Sequence, residues 1–353
     1  MLLITDRQQE SYRLSRDLEL VHRCTIVPLP DPLPAAVPCR LVISDVALDN
    51  TASIGHLRAA LSRHRPPDVP FLCLLRQSSH HALTQANAIG ASTILPADTP
   101  RDALLGKVVE LIGAQGDDSA ANDNGHRPAR SAMLKSGIAL GNLLDAAGEG
   151  RPVSPQQLLS GSDSVLAAIE EADLRPWLDV VRAHDDATYQ HCLLVAGLAA
   201  SFAVKLGLRR EDRRLLTQAA LLHDIGKARI PLVILNKTGK LTEAEMNLLR
   251  THAADGHELL VRQGGFPEEM LRVVRHHHEY LDGSGYPDGL RAAQIPDLVR
   301  LTTICDIYAA LIERRPYKEA MPTEEAYDIL MKMRGKLDGD LVGAFRPVAE
   351  APR

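Results

Sequence analysis

The chain has 353 residues, 45% of them hydrophobic and 24% charged, with 40 Lys and Arg against 45 Asp and Glu for a formal net charge of −5. That length suits two domains at roughly 100 to 200 residues each. The lack of a basic excess argues against a nucleic-acid polymer as partner, and no apolar run reaches the ~18 residues of a membrane span.

The opening Met-Leu-Leu-Ile-Thr-Asp carries no basic region and reads as a first strand rather than a secretory leader. Short apolar runs at residues 2–5, 24–29, 41–48, 71–75 and 93–95 alternate with helix-like stretches up to residue 113. Five strands interleaved with helices predict a doubly wound, parallel α/β sheet covered on both faces. Asp45 closes the third run, at the C-terminal end of a central strand, where such sheets hold their sites. Five prolines between Pro28 and Pro38 leave little room for a helix there. Cys24, Cys39, Cys73, Cys192 and Cys305 show no CxxC spacing, and most sit in apolar segments, as expected of small hydrophobes in a reducing cytoplasm.

Residues 1–113 resemble the receiver domain of two-component signalling, with Asp45 at the phospho-acceptor position, Asp6 at an acidic metal-binding position and Gly90-Ala91 before the last strand. Three departures stand out: Arg7 replaces the paired acid, Leu75 the hydroxyl residue after the fourth strand, and Ala97 the lysine after the fifth. The resemblance implies a degenerate receiver-like domain for interaction or dimerisation, with Asp45 as its candidate phospho-acceptor.

Residues 114–130 are polar, rich in turn formers and aperiodic, and read as a flexible linker. Residues 131–164 read as a helical connector and 165–353 as an all-α domain, because helical periodicity prevails and strand alternation is absent. On a helix starting near Thr188, His191 shares a face with Val195, Leu198 and Phe202. An apolar helix then ends in His223-Asp224, followed by Gly226 as a left-handed terminator. Thr242 to Glu245 forms a capping box for a helix that turns His252 inward with Leu249, Gly256 and Leu259, leaving His257 outside.

The next helix buries Met270, Val273, Val274 and Leu281, which puts His277 on that face, His278 at its border and His276 on the far side. Asp306 lies in the middle of an apolar helix, where a lone carboxylate needs a cation. His191, His223, His252, His277, His278, Asp224 and Asp306 together fit two divalent metal ions. Nitrogen and oxygen ligation without thiolate suits iron or manganese at least as well as zinc. Two metals about 3.5 to 4 Å apart can share a hydroxide and clamp a phosphodiester.

His223-Asp224-x-Gly-Lys227, His252, His277-His278-Glu279, Asp282-Gly-x-Gly285-Tyr286-Pro287 and Arg315-Pro-Tyr-Lys318 follow in order the pattern of the HD-GYP family of cyclic di-GMP phosphodiesterases. The resemblance spans about residues 165–345. It implies that His191, His223, Asp224 and Asp306 hold one metal and that Asp224, His252, His277 and His278 hold the other. It implies a catalytic role for Asp224, contact of Lys227 with the scissile phosphate, and a substrate pocket formed by Gly285, Tyr286, Pro287, Arg315 and Lys318. Ala187 stands where some members carry a glutamate for a third metal, Tyr280-Leu281 replaces Arg-Trp, and Ala309 replaces a frequent Asp.

The implied activity is hydrolysis of cyclic di-GMP to pGpG, and onward to GMP, by a metal-bridging hydroxide under control of the N-terminal domain. Signalling proteins docking on the receiver-like domain or the Gly-Tyr-Pro loop, and a second copy of the chain, are the expected protein partners. The alternatives are a cyclic-dinucleotide-binding effector with slow or no turnover, and an HD phosphohydrolase acting on another nucleotide.

Overall fold

The computed structural model describes residues 1–30, 38–113, 126–182, 187–235, 237, 239–313 and 320–350. The chain divides into two compact units, Met1–Asn122 and Asp123–Arg353. In the first, β1 (Leu2–Thr5), α1 (Gln8–Glu19), β2 (Thr25–Pro28), β3 (Val42–Asp45), α2 (Thr51–His64), β4 (Phe71–Leu75), α3 (His80–Ala88), β5 (Thr93–Pro96) and α4 (Arg101–Gly113) follow one another. All strand pairs are parallel, in the order β2-β1-β3-β4-β5. Consecutive residues Leu2, Leu3 and Ile4 are all fully buried, so both faces of the sheet are covered. Each strand coincides with an apolar run of the sequence. Residues 31–37, in the proline-rich stretch, lie outside the described residues, and their described neighbours are not helical.

The register sets Thr5 opposite Asp45 at the C-terminal edge. Asp6 follows β1 and Arg76 follows β4, so a cation and two acids converge there.

The second unit is helical: α5 (His126–Gly148), α6 (Pro155–Ala172), α7 (Leu174–Arg182), α8 (Ala187–Lys205) and α9 (Arg210–Leu222) precede a 3-10 turn over Ile225–Arg229. Then come α10 (Leu232–Leu235), α11 (Glu243–Arg250), α12 (His252–Gln263), α13 (Glu268–His276), α14 (Asp297–Ile312), α15 (Thr323–Lys332) and α16 (Gly339–Ala349). α5 begins inside the stretch expected as linker, whose residues 114–125 lie outside the described ones, and α6 runs through residue 164. Among the described residues no helix is long and apolar enough to cross a membrane.

α8 is the axis of this unit, packed against α5, α6, α7, α9, α14 and α16. It is buried nearly all round, so the burial of His191 follows from its central place more than from one apolar face. Two expected helices are shorter than their periodicity suggested. One divides at Thr251 into α11 and α12, and α13 stops at His276, leaving His277 and His278 in the turn beyond.

Gly226 is not left-handed: it sits in the 3-10 turn, where a Cβ would overlap the His252 carbonyl. Glycine is needed there for close approach of backbone to α12, not for a positive φ.

The only tryptophan, Trp177, is fully buried on α7 and donates its indole N–H to the Leu193 carbonyl at 3.0 Å. A Cβ at Gly197 of α8 would fall inside the indole ring system. Gly197→Ala is therefore expected to lower stability by about 1–3 kcal/mol through overpacking. Denaturant unfolding followed by Trp177 fluorescence checks this, with a lower midpoint and red-shifted native emission as the expected result.

Candidate metal centre

Five segments deliver the site. α8 brings His191, the end of α9 brings His223 and Asp224, the start of α12 brings His252, the turn after α13 brings His277 and His278, and α14 brings Asp306. His223, Asp224, His252, His277 and Asp306 are all buried, and His278 is about a quarter exposed. Thr303, one turn before Asp306 on α14, donates its hydroxyl to the His277 carbonyl at 2.9 Å and pins the turn that carries both histidines.

Asp224 divides the cluster. Its Oδ2 lies 3.3 Å from His223 Nε2 and 3.7 Å from His191 Nε2, whereas its Oδ1 lies 3.2 Å from His252 Nε2 and 3.9 Å from His277 Nε2. Asp306 Oδ1 lies 2.9 Å from His191 Nε2, and its Oδ2 lies 3.6 Å from His278 Nδ1. Two groups with metal-holding geometry result: His191, His223 and Asp306, and Asp224, His252, His277 and His278.

The donor chemistry of these rings is fixed from behind. His223 Nδ1 meets the Ala220 carbonyl at 2.7 Å, His252 Nδ1 the Leu249 carbonyl at 2.7 Å, and His277 Nδ1 the Val274 carbonyl at 3.0 Å. A carbonyl only accepts, so each Nδ1 carries the proton and each Nε2 presents a lone pair. His252 and His277 then face each other with two lone pairs 3.3 Å apart, and the buried Asp224 Oδ1 beside them accepts no hydrogen bond. Acceptors converging on acceptors repel unless a cation lies between them. The residues present therefore fit divalent metal ions.

The titration behaviour of the two turn histidines agrees, whereas Asp306 and Glu313 raise His191 to about 9 against its burial. Burial, with His278, His223 and His252 close by, holds His277 well below the usual imidazole range, and burial lowers His278 to about 4. Both are neutral, as ligands must be. Burial alone would raise the Asp224 carboxyl, but Lys227 beside it holds it well below the carboxylate range. Asp306 is held low against burial by His191. Lys227 Nζ bonds Asp224 Oδ2 at 2.5 Å, which keeps the amine charged despite its surroundings.

The glycine-rich loop folds back on the histidine turn. Tyr286 N–H donates to the His278 carbonyl at 3.2 Å, and the Tyr286 ring lies 4.6 Å from that of His278. A Cβ on Gly285 would overlap Glu279 Cα and the His278 carbonyl, so this glycine makes room for the protein's own backbone. Gly283 is left-handed, at φ 80°. Pro287 is exposed at the loop tip. His276 is turned away and pairs with Asp288 at 2.8 Å.

Two contributions were not read from the sequence, and a third, that of Glu279, was read only as a support behind the two histidines. The buried Glu279 carboxylate accepts the backbone N–H groups of Asp288, Gly289 and Leu290 at 2.6, 2.9 and 3.0 Å, a clamp on the loop. The guanidinium of Arg250 lies 5.5 Å from the Tyr286 ring centroid. Glu313 meets His191 Nδ1 at 3.1 Å. A buried glutamate at the end of an apolar helix was the only available signal for the last. Arg315 and Lys318 lie outside the described residues.

In the first unit Asp45 is engaged. Arg76 donates to Asp45 Oδ1 at 2.8 Å, to the Asp45 carbonyl at 2.6 Å and to Asp6 Oδ1 at 2.5 Å.

Residues 175–341 match the HD domain family model. With His223-Asp224 and the Gly-Tyr-Pro loop joined in one site, the unit is similar to HD domains of the HD-GYP type. The chain is 35% identical over 235 residues to cyclic di-GMP phosphodiesterase response regulator RpfG of Xanthomonas campestris, covering 60% of this chain and 62% of that protein. It is 38% identical over 165 residues to cyclic di-GMP phosphodiesterase PA4108 of Pseudomonas aeruginosa, covering 47% and 40% of the two. It is 40% identical over 151 residues to 3'3'-cGAMP-specific phosphodiesterase 3 of Vibrio cholerae, covering 43% and 33%. The chain thus spans less than two thirds of the length of these curated relatives. Bd1817, a HDG"Y"P protein from Bdellovibrio bacteriovorus, shares the fold, with a TM-score of 0.54 at 19% identity over 70% of this chain and 80% of that one.

Glu279→Ala removes the acceptor of three loop N–H groups. The expected outcome is a loss of about 1–3 kcal/mol and faster hydrogen exchange in residues 288–290, measured by mass spectrometry, with exchange in α8 unchanged.

Proposed function

We propose that the second unit is a metal-dependent phosphodiesterase that hydrolyses cyclic di-GMP to pGpG and onward to GMP. The observation that carries this reading is the convergence of imidazole lone pairs and the Asp224 carboxylate, split between two groups, against a Gly-Tyr-Pro loop. Two divalent cations, iron or manganese by the nitrogen and oxygen donors, would supply the charge that draws a phosphodiester and acidifies the attacking water. His191, His223, Asp224 and Asp306 hold one, and Asp224, His252, His277 and His278 the other. Asp224 offers one oxygen to each half and so fixes their spacing. Lys227, charged and tied to Asp224, stabilises negative charge developing on the phosphoryl oxygens. Gly285, Tyr286, Pro287, Arg315 and Lys318 receive the nucleotide. Relatives named for 3'3'-cGAMP support a second reading, in which the hybrid dinucleotide is the substrate.

For the first unit we propose an interaction module, residues 1–113, joined through a linker at 114–130 and a helical connector at 131–164 to the phosphodiesterase domain at 165–353. Its regulatory role is supported by the relative named as a response regulator. Arg76 already pairs with both Asp6 and Asp45, which supports control without phosphorylation.

Manganese- or iron-loaded protein incubated with cyclic di-GMP, 3',3'-cGAMP and mononucleotides, with products resolved by chromatography, tests the substrate. Release of pGpG is expected, and turnover of mononucleotides alone would refute the assignment. Combined His223→Ala and Asp224→Ala should lower activity by more than about 100-fold, since loss of mere outer support already costs about 10–100-fold, and should lower metal content by elemental analysis. Treatment with acetyl phosphate and magnesium should leave the intact mass unchanged. A gain of one phosphoryl group at Asp45 would overturn the view of the first unit.

A further inference from the structure

The buried site histidines do not share one design. His223, His252 and His277 each rest Nδ1 on a backbone carbonyl of their own preceding turn. His191 instead places Nδ1 3.1 Å from Glu313 Oε2 and Nε2 2.9 Å from Asp306 Oδ1. Glu313 caps α14 at its C-terminal end, seven residues after Asp306, so the same face of one helix sends a carboxylate to each nitrogen of a single imidazole. Both carboxylates are buried, and so is the ring.

We propose that Glu313 is a positioning residue for the metal held by His191, His223 and Asp306. It accepts the Nδ1 proton of His191, which leaves the Nε2 lone pair directed into the site and locks the ring's rotation. It also adds a third carboxylate, after Asp224 and Asp306, to that half of the centre. The other half has three histidines and shares only Asp224. A divalent cation is therefore held more tightly beside His191, and its retention depends on a residue that the second site does not use. A backbone carbonyl cannot be removed by substitution, so of the four supports only this one is open to side-chain change.

This inference rests on the proposal that the cluster holds two metals, and the test separates the two. Wild-type protein, Glu313→Ala, Glu313→Gln and Glu313→Asp are stripped with chelator and titrated with Mn2+ by calorimetry, with bound metal counted by elemental analysis. In Glu313→Ala one site is expected to weaken about 10–100-fold while the other keeps its wild-type Kd. Glu313→Gln, which still accepts the Nδ1–H hydrogen bond but carries no charge, should fall between, and Glu313→Asp should recover part of the loss. Excess Mn2+ should restore hydrolysis to Glu313→Ala, a rescue that a structural defect would not allow.

Two Mn2+ per chain at wild-type affinity in Glu313→Ala would overturn the role of Glu313 while leaving the metal centre intact. Equal weakening of both sites would overturn it as well. If wild-type protein itself binds no Mn2+, the metal reading fails and takes this one with it. If it binds two and turns over no cyclic dinucleotide, only the substrate assignment fails.

Discussion

Everything in the second unit answers to one electrostatic constraint: a buried carboxylate, Asp224, surrounded by imidazole nitrogens whose protons have been assigned elsewhere. The carbonyls behind His223, His252 and His277 accept hydrogen bonds from Nδ1–H, so the centre of the cluster is lined with Nε2 lone pairs. Such an arrangement costs free energy unless positive charge enters it. The packing of α8, α9, α12 and α14 brings these groups within reach of one another. The glycine at 226 is part of the same constraint, because a side chain there would push His252 away from Asp224.

The loop carrying Gly285 and Tyr286 is built onto this centre rather than hung beside it. Glu279 follows the two histidines in sequence and gathers three N–H groups from residues 288–290, while Tyr286 bonds the carbonyl of His278. Anything that moves His277 and His278 therefore moves the loop. The same chain segment couples the chemistry of the centre to the shape of the space in front of it.

The first unit meets an analogous problem with a different answer. Two acids at the C-terminal edge of a parallel sheet need a counter-charge, and Arg76 from the end of β4 provides it within the chain. A fixed guanidinium with directed N–H groups does not exchange with solvent as an ion would. The sheet edge thereby has part of its negative charge offset from within the chain.

Periodicity and ligand types made much of this legible. β1, β3 and β4 coincide with apolar runs because a strand buried on both faces must be apolar throughout. His191, His252 and Asp306 were legible because polar groups on apolar helical stripes need partners. His276 pairs with Asp288 away from the two residues after it, and although α13 ends before them, His277 keeps helical backbone angles one residue further.

Other features depended on residues remote in sequence. The pairing of His191 with Glu313 spans 122 positions, and that of Arg76 with Asp6 spans 70. Neither is a matter of local spacing. The role of Gly226 depends on which helix lies across it. Local pattern determined which groups were buried and what they could donate or accept, because burial and hydrogen-bonding capacity belong to each residue and its turn. Tertiary packing alone decided which acceptor faced which donor, because those distances exist only once separate helices have met.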